Sequence, residues 1–102
     1  MSFTPQSGKE ITLEEAQELI ADFKTNYPND VYSFFVGSTH VENILNQEDC
    51  IGIRIINGFD SISEKMTKVL VGVDSNGNDM DAGIIVDKLL PCPSDCPTST
   101  RL

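Results

Sequence analysis

Two runs of alternating β-forming residues dominate the middle of the chain. In Cys50-Ile51-Gly52-Ile53-Arg54-Ile55-Ile56, the residues Ile51, Ile53 and Ile55 fall on one face by the two-residue period of a strand. Gly52, Arg54 and Ile56 fall on the other, which is therefore only partly covered by apolar side chains. Over residues 67–73, Val69, Val71 and Val73 share a side in the same way. Two such strands demand a sheet with a buried face, and residues 57–64 between them read as a turn-rich connection.

The second strand runs into Ser75-Asn76-Gly77-Asn78. Asn-Gly is the pair favoured by a two-residue type I′ hairpin, because both central residues need positive φ. A pivot there sets Val73 opposite Met80, Val71 opposite Ala82, Val69 opposite Ile84 and Thr67 opposite Val86. A bulge at Gly83 would shift the far end of that ladder.

Two helices precede the strands. Thr12 with Glu15 has the spacing of a capping box, and Leu13, Ala16, Ile20, Phe23 and Tyr27 then recur as the buried stripe of an amphipathic helix. Asn26 and Pro28 end it. Residues 31–36 form a short strand up to Gly37, after which Ser38 or Thr39 caps a second helix with Val41, Ile44 and Leu45 inward. The order of elements predicts an α+β domain. Its core is an antiparallel sheet of three to four strands, with one long N-terminal helix and one short helix on one face. Residues 1–10 are a polar lead-in, 11–90 the domain, and 91–102 a Pro/Cys-rich tail. Three prolines in the tail exclude helix and central strand there.

Sixteen acidic residues against seven basic ones give a net charge of -9. That balance disfavours phosphate backbones and anionic lipid as partners, so neither nucleic acid nor membrane is expected. No apolar run approaches the roughly 20 residues of a membrane helix, and the start carries neither a basic leader nor an apolar stretch. Three cysteines, an odd number, fit a reducing compartment, and the expected location is cytoplasmic.

Chemistry-bearing residues are few. Cys50, Cys92 and Cys96 with His40 form a set suited to tetrahedral zinc if the four meet in space. A Cys92–Cys96 disulfide or redox pair is the alternative, and unligated thiols on the tail are the reading favoured on spacing. Arg54, the only arginine before Arg101, is expected to pair with a carboxylate. A single histidine and the absence of nucleophile-elbow or phosphate-loop motifs point away from an enzyme.

The stretches Ile44-Leu45-Asn46-Gln47, Cys50-Ile51-Gly52-Ile53-Arg54-Ile55, Leu70-Val71-Gly72-Val73-Asp74 and Pro91-Cys92-Pro93 with Cys96 carry a resemblance. The chain resembles a group of small bacterial proteins with a Gly-Ile-Arg strand and a Pro-Cys-Pro-x-x-Cys tail. The resemblance carries over no activity, substrate or cofactor. It implies that Cys50, Cys92 and Cys96 approach one another, and His40 is outside its pattern.

The functional expectation is a non-enzymatic protein-interaction module that binds a protein partner or itself through its sheet. Gly52, Arg54 and Ile56 are its candidate contact residues. The alternative is a metal-binding or redox-sensing protein built on Cys50, Cys92 and Cys96.

Overall fold

A computed structural model describes residues 2–102. In chain order it contains α1 (Leu13–Asn26), β1 (Ser33–Phe35), α2 (Ser38–Leu45), β2 (Cys50–Asp60), β3 (Lys65–Asp74), β4 (Ile85–Val86) and β5 (Leu90–Cys92). The class is α+β, as the sequence predicts. The strands divide between two antiparallel sheets, β1-β5 and β2-β3-β4.

The β2–β3 hairpin is the longest paired unit. Its ladder runs from Cys50 opposite Asp74 to Asp60 opposite Lys65. Residues 57–60 and 65–66 belong to the strands, so the expected connection over 57–64 is corrected to a turn at 61–64. The alternation continues through Asn57 and Phe59, facing Lys68 and Met66 across the ladder. The polar character of this stretch hid that continuation. Asp60 makes the turn: its carboxylate accepts hydrogen bonds from the Ile62 and Ser63 amides at 2.9 and 3.4 Å. Glu64 closes it with a φ of 55°.

The hairpin expected at Asn76-Gly77 forms with a different register. Val73 bridges to Asp79, and further along Val71 pairs with Ile85 and Leu70 with Val86. Of the Asn-Gly pair only Gly77 has positive φ, at 82°, so the turn is not type I′. Instead the Asp74 carboxylate accepts from the Asn76 and Asn78 amides at 2.9 and 3.0 Å and widens the loop. Between the two paired segments the ladder opens, and the Gln47 side chain fills the gap. Its Oε1 accepts from the Ile84 amide and its Nε2 donates to the Ile44 carbonyl, both at 2.9 Å. Gly72 and Gly83 make room for it: a Cβ on Gly83 would overlap Gln47 Oε1, and one on Gly72 would come within 3.0 Å of Gln47 Nε2.

The core is small. Ile44 of α2 is fully buried against Leu70 and Val86, with Val36, Cys50, Ile53 and Leu89 packed around them. The helix begins at Gly37 with no side-chain cap, so the expected Ser38 or Thr39 cap is not formed. Val41 is half-buried and Leu45 exposed.

The capping box of α1 is present as expected: the Glu15 amide donates to Thr12 Oγ1 at 3.1 Å and the Thr12 amide to Glu15 Oε1 at 3.3 Å. Its apolar stripe is a different matter. No α1 residue is fully buried, and Leu19, Phe23 and Tyr27 are exposed. The helix is tied instead by Lys24 over the Tyr32 ring, 4.2 Å from its centre, and by Gln17 donating to the Arg101 carbonyl at 2.8 Å.

With so few buried residues, single core truncations are decisive. Ile44→Ala is expected to lower the unfolding free energy by about 2–5 kcal/mol in urea titration. Leu19→Ala, at an exposed position of α1 outside that stripe, is expected to stay within about 0.5 kcal/mol. Equal losses at both positions would show that α1 is as tightly packed as α2.

Candidate functional site

The three residues expected to contact a partner do share one face. Gly52 lies opposite Val73, Arg54 opposite Val71 and Ile56 opposite Val69. Ile51 drops out of the ladder, where the register shifts between Cys50 and Gly52. The face is not bare, because Val71 and Val73 are buried. The N-terminal segment lies beside this part of the sheet: the Phe3 ring sits 5.0 Å from the Arg54 guanidinium, and a Cβ on Gly77 would overlap it. Arg54 forms the expected ion pair, with Asp79 as its carboxylate, and its second amino group donates to the Gly77 carbonyl at 3.4 Å.

Beside β2 runs a groove of about 350 Å³, lined by Phe3, Thr4 and Pro5 of that segment, by residues 51–55 of β2 and by Val73 of β3.

The edge of β2 is the more distinctive feature. In the order β2-β3-β4, β2 is hydrogen-bonded to a strand on one side only. Among the described residues, no backbone group of β2 beyond Gly52 has a hydrogen bond outside the β2–β3 ladder. The strand is eleven residues long and contains no lysine or proline, the residues that commonly blunt an edge. It exposes Ile55 (64%) and Phe59 (66%), and the turn after it exposes Ile62 (96%). Phe59 and Ile62 were not singled out by the sequence, because their segment read as a connection. The alternation through Asn57 and Phe59 was the available signal.

A second hollow, about 520 Å³, lies at the far end of the hairpin between Phe34, Phe59, Ile62 and Leu89. Two carboxylates stand beside it. Asp60 is held below the usual carboxylate range by the Ile62 and Ser63 amides. Asp87 is lowered by the Lys88 amide and then by the Thr67 hydroxyl, which donates at 2.8 Å. Both carboxylates are engaged in holding local structure.

The four candidate metal ligands are distributed as follows. Cys92 and Cys96 form a disulfide with their Cα atoms 4.7 Å apart, which corrects the reading of unligated tail thiols. Cys92 is buried at the end of β5, whose pairing with β1 ties it down, and Cys96 is exposed. Cys50 is a free thiol that opens β2 in the other sheet and donates to the Gly52 carbonyl at 3.3 Å. His40 is exposed in the first turn of α2. Among the described residues no three His, Cys, Asp or Glu side chains gather into a metal-binding group. No described helix is long and apolar enough to cross a membrane.

No protein-family model, curated protein or solved structure matches the chain.

The Asp60 turn gives a pH signature for the hairpin tip. A carboxyl whose folded pKa is depressed contributes stability above its unfolded value and loses it as pH falls through the folded one. The Ile62 and Ser63 amide resonances are therefore expected to titrate together with a midpoint below 3.8. In Asp60→Asn that step should vanish. A midpoint at or above the ordinary carboxylate value would mean the turn bonds do not persist in solution.

Proposed function

We propose that this chain is a non-enzymatic, cytoplasmic protein-interaction module that receives an extended partner segment along the free edge of β2. The observation that carries the reading is the unpaired run of backbone donors and acceptors on an eleven-residue strand with Ile55, Ile56 and Phe59 exposed beside it. Strand addition supplies main-chain hydrogen bonds for affinity and side-chain pockets for selectivity. The groove along Ile51, Ile53 and Ile55 is suited to take such side chains.

The test is a capture experiment with an edge variant and a control. Ile55→Lys places a charge at the edge and is expected to reduce partner retention by at least about tenfold. Leu19→Lys, at an exposed position of α1, is expected to retain it. Equal retention by both variants would move the interface away from β2.

The disulfide favours a second reading, a redox-responsive protein in which the Cys92–Cys96 pair is the responsive element. In a cytoplasmic setting such a bond is transient rather than structural. Zinc on Cys50, Cys92, Cys96 and His40 would require that bond to be reduced first, since the ligand is the thiolate. Reduction opens a five-residue loop between 92 and 96. It is expected to lower stability by about 2 kcal/mol, read as a drop in melting temperature. The Cys92→Ser/Cys96→Ser double variant should melt identically with and without reductant. Unchanged melting of the native chain on reduction would sink this reading.

A further inference from the structure

We infer that the segment received along β2 is β2 of a second copy, in an antiparallel pairing with Asn57 at its two-fold axis. The inference rests on the β2 edge being the binding surface, as proposed above, and names its occupant.

The register follows from the strand's own residues. A symmetric pair of antiparallel strands continues the sheet across a two-fold axis perpendicular to it, so each residue faces one from the same side of the sheet. A slip of one residue would oppose the two faces. β2 carries two charges, Arg54 and Asp60, both on the same face as Val71. One register sets each Arg54, which within its own chain is paired with Asp79 and donates to the Gly77 carbonyl, opposite the other copy's Asp60. It places Asn57 opposite itself. It also sets Ile55 opposite Phe59 twice, pairing the two most exposed apolar side chains of the strand, and Ile56 opposite Gly58 twice. No like charges meet. Asp60 spends one carboxylate oxygen on its turn and keeps the other free for a cation. Neighbouring same-face registers leave Arg54 opposite Gly58 or Ile62, and lose the Ile55–Phe59 pairs.

The same register accounts for the most exposed large apolar side chain among the described residues. Beyond Asp60 the second copy's turn continues alongside Ile53 and Gly52, about 13–17 Å from the axis at roughly 3.3 Å per residue. That is the stretch of β2 bordering the groove walled by Phe3 and Pro5. Ile62, at the tip and 96% exposed, arrives there. Each copy then supplies one Ile62 and one groove. Edge pairing, charge pairing, apolar pairing and the tip contact all follow from a single choice of register.

Both chains carry -9, so association is measured near physiological salt, where charges more than about 8 Å apart are largely screened. Sedimentation equilibrium of the full chain is expected to show a dimer by about 100 μM. Ile62→Asp, at a fully exposed site, should weaken it by at least about tenfold. Under mild oxidation Asn57→Cys is expected to give a cross-linked dimer. Ile55→Cys is expected not to, because its two copies would lie about 13 Å apart, beyond the roughly 7 Å a disulfide spans. The native chain, with Cys50 as its free thiol, is the background. Equal cross-linking at 55 and 57, or none at 57 in a dimer, overturns the register. Amide exchange on the same samples separates the two levels of the argument. A monomer throughout, with the outward β2 amides exchanging fast, overturns the second copy and leaves the edge for another chain. A dimer that leaves those amides unprotected overturns the edge as well.

Discussion

The contact of Ile44 with Leu70 and Val86 is what the three-stranded sheet depends on. A two-stranded hairpin is marginal in water until a third strand or a helix covers one face. Here the third strand contributes two residues, Ile85 and Val86, and the covering helix contributes one fully buried side chain. The single disulfide lies in the other sheet. The β2–β3 ladder is thus long along the strand direction and thinly covered across it. That imbalance leaves the outer half of the hairpin, from Ile55 to Ile62, with its apolar side chains in solvent.

Gln47 explains how so short a third strand can be placed at all. Beyond Met80, whose amide donates to the Gly72 carbonyl at 2.9 Å, the chain leaves the sheet until β4 begins at Ile85. An amide side chain carries both a donor and an acceptor, so one residue can satisfy a carbonyl at the end of α2 and an amide at the start of β4. The cost falls on Gly72 and Gly83, which have no space for a Cβ. Helix, hairpin and final strand are therefore coupled through one polar side chain as well as through Ile44.

Much of the fold was legible because its signals are local. The Thr12–Glu15 box needs only residues within one helical turn, and the faces of β2 follow from a period of two. Arg54 could be expected to find a carboxylate from its isolation in an acidic chain, but Asp79 could not be named, since the pairing depends on how the 74–80 loop closes. The loop itself misled. Asn-Gly promised a tight turn, yet the Asp74 carboxylate bound two amides first and produced a wider one. Amphipathic periodicity likewise marked α1 as a helix but could not say how deeply its stripe is covered: Leu13, Ala16 and Ile20 are half-buried, while Phe23 and Tyr27 stay exposed. The candidate site shows the same division. The face of Gly52, Arg54 and Ile56 was readable, while Phe3, Phe59 and Ile62 belong to segments whose sequence looked like connections.

An open strand of eleven residues without lysine or proline invites indiscriminate pairing, and the acidic composition bears on that problem. A net charge of -9 repels a second chain only once the two surfaces come within a Debye length, about 8 Å at physiological salt. The charges on β2 itself act only at contact: Arg54 and Asp60 favour one alignment and penalise others that set them against apolar neighbours. Repulsion between whole surfaces combined with short-range complementarity selects against arbitrary stacking more strongly than against one defined pairing. The edge is thus guarded by the charge of the whole surface rather than by lysine or proline within the strand.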